Sequence, residues 1–434
     1  MTFFYKHITK LLRVIFILVF ALSAFSCKNK SENNIVIDFW GMGSEGEILK
    51  QLVPEFERRN PGIKVNVQMI PWTAAQEKLI SAFAADNLPD LFQLGNTWVP
   101  QFAELGAIIN LNSFISKSDV IKKEYYFPGI WDTNIIFNKV YGIPWYIDTR
   151  ILFYRKDVLE KAGFNQPPKT WDELYTLSKR IRNNANGEDK YAIYLPTNEW
   201  SPFIIFGLQN GSTILKDSNA YADFSGAKFK EAFKYLIKFH KEKLAPIGIS
   251  QVTSVYQSFA QEYFSMYISG PWNIVEFKKW MTGDLADKWG TAPLPGRYTY
   301  PGVSTAGGSS LVMSRNSVHK EAAWKFIEYL SETKTQLQFY NLVNDLPAVK
   351  SVWEEKTFKD DPYIKAFYEQ FLHVVPTPKI PEWEQIVFAK VQQYAEEAAR
   401  GSITEDEALK RLDADVNTIL EKRRWIIKNK PVNN

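Results

Sequence analysis

The chain has 434 residues, 45% hydrophobic and 23% charged, with 52 basic residues against 48 acidic, 4 His and a single Cys. This length exceeds what one core usually serves, and the apolar content excludes a disordered chain. One Cys excludes an internal disulfide or a Cys-rich zinc site, and four His leave little material for His-based catalysis or metal binding.

Residues 1–26 carry Lys6, Lys10 and Arg13 and no acid, then the apolar run Val14 to Leu22, then Ser23-Ala24-Phe25-Ser26-Cys27. Basic start, short apolar run and small-residue boundary predict a secretory signal peptide, too short for a membrane span of about 20 residues. Three of the 52 basic residues lie there, so the remainder carries 49 against 48 acids. Cys27 at the boundary resembles the lipidated Cys of a bacterial lipobox, and the polar stretch 28–34 suits a tether. An ordinary signal peptide with an incidental Cys is the alternative.

Ile35 to Trp40 predicts a strand, and Ile48, Leu49, Leu52, Val53 and Phe56 predict a helix kinked at Pro54 and stopped at Asn60-Pro61-Gly62. Alternation at Ile63, Val65, Val67 and Met69 predicts a second strand, Thr73 with Gln76 a capping box, and Asp90–Leu94 a third strand. Strand–helix–strand–helix–strand implies an α/β fold with a doubly wound parallel sheet. The pattern recurs. Thr170 with Glu173 caps a helix, Tyr191–Leu195 is a buried strand, Lys320–Leu330 is a helix, and Thr404 with Glu407 caps a long C-terminal helix. The segment 367–386, with Pro376, Pro378 and Pro381, predicts an irregular surface crossing.

Several of the 14 Trp fall just past predicted strands: Trp40, Trp72, Trp98, Trp145, Trp200 and Trp272. In open α/β sheets the ligand crevice lies beyond the carboxyl ends of strands. Flat rings beside carboxylates, amides and Arg suit a sugar, whose C–H face packs on an aromatic and whose hydroxyls pair with polar groups. Trp171, Trp289, Trp324, Trp353 and Trp425 lack this setting and read as packing residues.

The order and spacing of Phe56–Val65, Leu88–Leu94, Trp98–Leu105, Tyr141–Arg150 running on to Asp157, Pro168–Leu174, Ile268–Trp272, Gly307-Gly308 and Leu346–Ala348 resemble the sugar-type extracellular solute-binding proteins (family 1) of bacterial ABC importers. The resemblance runs from about Ile35 to the end. It implies a two-lobed, type II periplasmic-binding-protein fold that clamps its ligand by hinge closure. Lobe 1 is then 35–147 with 303–346, and lobe 2 is 148–302 with 347–434. It implies ligand contacts from Ser44, Glu45, Asn96, Trp98, Asp148, Arg150, Asn198, Trp200, Trp272, Gly307, Gly308 and Trp383. It also implies a carbohydrate ligand, permease subunits as partners, a monomer, no cofactor, and an exported chain tethered through Cys27. Against these roles, Asp148 with Arg150 also reads as a hinge salt bridge, Gly307-Gly308 as a turn, and Glu45 as a helix-start charge.

Two other classes compete. A secreted glycosidase or lyase needs two suitably spaced carboxylates, which sequence cannot locate. A sensor or adhesin could share the fold. A nucleic-acid binder is disfavoured: Lys179–Arg182 and Lys422-Arg423-Arg424 are short clusters in a near-neutral chain.

Overall fold

The computed structural model describes residues 34–429 apart from 186, 188, 248–251 and 253. The signal segment, Cys27 and most of the tether lie outside the described residues. No helix among the described residues is long and apolar enough to cross a membrane.

Two sheets organise the chain. The first has six strands in the order Leu346–Pro347, Ile143–Asp148, Gly307–Met313, Leu91–Gly95, Ile35–Met42 and Ile63–Ile70. Its first three strands in sequence are parallel, as expected, while Gly307–Met313 enters antiparallel between Leu91–Gly95 and Ile143–Asp148. The second sheet has four strands in the order Trp289–Ala292, Ile151–Arg155, Phe264–Ser269 and Tyr191–Tyr194. Only its last pair is parallel.

The chain passes between the sheets at Asp148-Thr149-Arg150, which joins adjacent strands of different sheets. A second passage lies at Ser304–Thr305, beside which Val374–Val375 runs in parallel. The segment 348–360 stays on the first sheet's side: Val349 bridges to Tyr126, and Trp353 packs edge-on to Phe127. Tyr363 then stacks on Trp289 of the second sheet at 3.9 Å. The chain therefore reaches the second sheet only near Asp361, past Pro347, and Tyr368 and Phe371 still pack on Phe127.

Local differences from the sequence expectations have simple causes. The kinked first helix is two helices, Gly43–Leu49 and Val53–Arg59, because Pro54 suits the first turn of a new helix. Thr73 does not cap: the helix Trp72–Ala84 begins one residue earlier, behind Pro71. Thr170 and Thr404 do cap, each hydroxyl accepting the backbone N–H three residues on, at 3.1 and 3.2 Å, and Glu173 reaches back to the Lys169 N–H at 2.7 Å rather than to Thr170. The proline segment is not a surface crossing. Val374, Thr377, Ile380 and Trp383 are buried in it. Trp425, read as a packing residue, is 67% exposed.

His240 is buried in the helix Ala227–Lys241 with Nδ1 3.1 Å from the Pro246 carbonyl, and burial pushes it down to about 4. The native state keeps it neutral while the unfolded chain protonates it near 6.5. Its contribution is therefore intact above pH 6.5 and is lost as pH falls toward 4, about 3 kcal/mol at most. His240→Gln should flatten that part of the stability profile, read by denaturant unfolding at pH 4.5 and 7. An unchanged acid limb would reject this origin.

Candidate ligand-binding cleft

The site is built from strand ends. After Ile35–Met42 the chain doubles back so tightly that a Cβ on Gly41 would sit 2.6 Å from Gly46 Cα. This fold-back turns Glu45 inward, leaving it 8% exposed. Its Oε1 accepts from the Tyr146 hydroxyl at 3.0 Å, and its Oε2 from Ser44 Oγ at 3.2 Å. Gln93 Nε2 donates to that tyrosine oxygen at 3.1 Å, and Gln93 Oε1 accepts the Met42 N–H at 2.7 Å. The carboxylate is thus fixed to the sheet through a run of hydrogen bonds rather than free to serve only as a helix-start charge.

Past Leu91–Gly95, a single turn Asn96–Trp98 carries the next two groups. Asn96 Nδ2 donates to the Ala306 carbonyl at 2.8 Å, tying this turn to the second passage. Trp98 meets Trp72 edge-on, centroids 5.7 Å apart.

At the first passage Arg150 Nη1 donates to Asp148 Oδ1 at 2.9 Å, while Nη2 lies 3.9 Å from Glu199 Oε2. The guanidinium also stands 4.7 Å from the Trp272 ring centroid. The Asp148–Arg150 pair is therefore real, yet both residues still face the cleft. Burial pushes the Asp148 carboxyl up, against the pull of Arg150. Trp272 is 47% exposed and folds back over Gly270, where any Cβ would overlap the indole. Trp200 packs edge-on against both Trp383 (6.0 Å) and Phe388 (6.2 Å). Phe388 rides on the π-helical turn Gln385–Val391 and is 55% exposed, the kind of irregular turn that often marks a functional site.

These groups enclose a cavity of about 430 Å³ where the two lobes meet. Ten of the twelve expected residues line it. Ser44 stands behind Glu45 as its hydrogen-bond donor. Trp383 is 1% exposed and backs Trp200, so its ring supports the wall rather than forming it. The two glycines line the cleft at the strand crossing rather than in a turn. Gly307 and Gly308 pair with Asp148 and Ile147, and side chains there would overlap the neighbouring strand.

Trp72, already among the strand-end tryptophans, also lines the cleft, and so do Tyr146, Glu199, Asp345, Thr377, Glu384 and Phe388, which were not anticipated. Trp72 was legible, since it follows its strand as Trp98 does. Asp345 was not. It is turned inward by the left-handed Asn344 (φ 64°) that ends the helix Thr333–Val343, and it precedes Leu346–Pro347. Burial first, then Glu45 and Asp148, push Asp345 up to about 8. Burial also raises Glu384, against hydrogen bonds to Thr97 and Trp98. The lining holds five carboxylates against Arg150 alone. Among the described residues, no cluster of His, Cys, Asp and Glu is arranged to hold a metal ion.

Two α/β lobes meeting at crossing strands, with an aromatic cleft between them, define a hinge-closing binding protein. The family model described as bacterial extracellular solute-binding protein matches residues 41–337, more than half of the chain. The chain belongs to this family. Among solved structures it is similar to the sugar-binding protein MalE from Xanthomonas citri, at 43% identity and a TM-score of 0.88, covering 91% of this chain and 100% of that one. An ABC transporter solute-binding protein from Thermotoga lettingae, bound with alpha-D-tagatose, matches at 28% identity and a TM-score of 0.73, covering 89% and 100%. Among curated relatives, the maltotriose-binding protein of Pyrococcus abyssi is 26% identical over 396 residues, covering 89% of this chain and 80% of that one. The diacetylchitobiose-binding protein of Streptomyces coelicolor is 26% identical over 347 residues, covering 77% of each.

Proposed function

We propose that the cleft holds an uncharged mono- or oligosaccharide, with Trp272, Trp98, Trp72 and Trp200 as stacking surfaces and Glu45, Asp148 and Asn96 as hydroxyl partners. The chain is the substrate-binding component of an ABC importer. It captures a sugar between its lobes and delivers it to the membrane permease. The observation that carries the ligand class is the combination of exposed rings with fixed carboxylates at the junction of the lobes. Ring faces take the C–H face of a pyranose, and carboxylate oxygens accept from its hydroxyls.

The charge of the lining narrows the ligand further. Asp345 keeps its proton below about pH 8, yet the other four acidic groups still outnumber the one guanidinium and repel an added anion, so uronates and sugar phosphates are disfavoured against neutral counterparts. A thermal-shift screen over neutral sugars, each paired with its uronate or phosphate, identifies the ligand. Calorimetry then tests the residues. Trp272→Ala and Asp148→Ala should each weaken binding by on the order of 1–3 kcal/mol, or roughly 5- to 150-fold, without unfolding the protein. Wild-type affinity in both variants would reject the assignment, as would preference for the anionic partner.

The same reading makes the protein a receptor rather than an enzyme, and recovery of unchanged oligosaccharide after long incubation supports it. Turnover at an enzymatic rate would favour the glycosidase. We place the lobes at 35–147 with 303–360 and 148–302 with 361–429, moving the last boundary from Pro347 for the packing reason given above. Export follows from the family. Tethering through Cys27 and a monomeric state belong to the proposal, and partition of wild-type and Cys27→Ala protein between membrane and soluble fractions tests the tether.

A further inference from the structure

The basic cluster Lys422-Arg423-Arg424 opens the last helix, Glu421–Asn429, and its two arginines do different work. Arg424 holds the helix to the second lobe. Its Nη1 and Nη2 donate to the Ala220 and Asn417 carbonyls at 3.2 and 2.8 Å, and it covers the Tyr221 ring. Arg423 reaches the other way. Its Nη1 stands 3.3 Å from Glu382 and 3.3 Å from Glu104. Glu104 ends the helix Val99–Glu104 of the first lobe, which follows the Asn96–Trp98 turn. Glu382 lies in the second lobe, two residues before Glu384 and six before Phe388. One nitrogen thus ties together the segments that carry opposite walls of the cleft.

That contact is incomplete. Arg423 is only 12% exposed, but its Nε is buried with no partner, and both carboxylates share one nitrogen. A guanidinium offers five donors in a fork suited to two-point pairing. Among the described residues, one other arginine buries an unpartnered Nε. It is Arg150, at the first passage between the sheets, paired with Asp148 and Glu199. The unused donors of Arg423 leave capacity that closer approach of the lobes can fill.

We propose that Arg423 is a closure latch, a positioning residue outside the cleft that favours approach of the lobes by pairing with Glu104 and Glu382. It is not part of the cleft lining and acts through the segments it joins. A ligand that binds the closed form gains apparent affinity in proportion to how much of the free protein is already closed, so the latch tunes affinity without a ligand contact.

Small-angle X-ray scattering of ligand-free protein tests this independently of the sugar assignment. Arg423→Gln and Glu104→Gln should each increase the radius of gyration. The double variant should expand no further than either single one, since both remove the same contact. Arg423→Lys should stay near wild type. Glu104→Gln sits on the opposite lobe from the C-terminal helix, so its expansion cannot come from loss of that helix. Expansion in Arg423→Gln but not Glu104→Gln would overturn the latch in favour of a packing role, and so would wild-type dimensions in both. Raising the salt concentration should expand the wild type toward the variants.

Discussion

Asp345→Asn raises stability at pH 8 and leaves it nearly unchanged at pH 4. The carboxyl is pushed up to about 8 by burial and by its neighbours Glu45 and Asp148, from an ordinary value of 3.8. Between those two values the native state holds a proton that the unfolded chain releases. The native state then binds more protons, so stability falls as pH rises through this window and levels off above it. Each pH unit is worth about 1.4 kcal/mol, which bounds the whole effect at roughly 6 kcal/mol. An amide of the same shape never ionises and removes the pH-dependent part. Urea unfolding of both proteins at pH 4, 6 and 8 reads the difference, which should widen with pH. Parallel curves would mean that Asp345 titrates normally. His240 acts in the opposite direction below 6.5, so the wild-type profile alone does not separate the two, whereas the difference between variant and wild type does.

The destabilising carboxylate also has a bearing on binding. A protein that buries acidic groups at the junction of its lobes retains them at a cost in fold stability, and the neighbouring groups show what they are positioned for. Tyr146, held between Gln93 and Glu45, fixes an acceptor in place, and the rings of Trp72 and Trp98 stand beside it. Hydroxyl groups of a ligand would supply the donors that Asp345 lacks among the described residues. Binding should therefore relieve part of the strain, and the gain from Asp345→Asn should shrink in saturating ligand.

Much of this arrangement was legible from local chemistry. Alternation and apolar runs located the strands, and the rule that crevices form past strand ends brought Trp98, Trp200 and Trp272 to one place before any coordinates. The Thr170 and Thr404 hydroxyls cap their helices as expected, while the helix Trp72–Ala84 starts behind Pro71, ahead of Thr73. Direction was harder to read. Trp383 and Phe388 lie five residues apart, one buried behind the wall and the other exposed in the cleft. No pattern in a proline-rich stretch leading into a π-helical turn tells which side chain points where. Trp145 follows the same strand-end reading as Trp98, yet it lies inside the strand Ile143–Asp148 and packs under the helix Thr333–Val343, stacked on Phe339 at 4.5 Å and 1% exposed. Asp345, Thr377 and Glu384 arrive from the far end of the chain through long-range packing, and nothing in their own neighbourhoods announces a site.

Gly308→Ala should cost the fold about 3 kcal/mol or more, while Gly307→Ala should cost the site more than the fold. Gly308 has φ 118°, a conformation that residues with a side chain rarely adopt, and a Cβ there would overlap the Tyr146 carbonyl and crowd Ile147 Cα at 2.7 Å. Backbone strain of about 1–3 kcal/mol and overpacking of about the same size add at a point where neither strand can move alone. Gly62→Ala is the control: its φ is 89°, but nothing lies within 4 Å, so only the backbone strain remains. If crowding matters, Gly308→Ala loses clearly more denaturant stability than Gly62→Ala, and equal losses would dismiss it. At Gly307 the overlap is with the Asp148 carboxylate itself, the free end of a side chain that can swing aside. Swinging it aside breaks the 2.9 Å contact with Arg150 and moves an acceptor within the cleft. The expected result is near-normal unfolding with weakened sugar binding, so that adjacent glycines separate the part of the crossing strands that holds the lobes together from the part that shapes the ligand site.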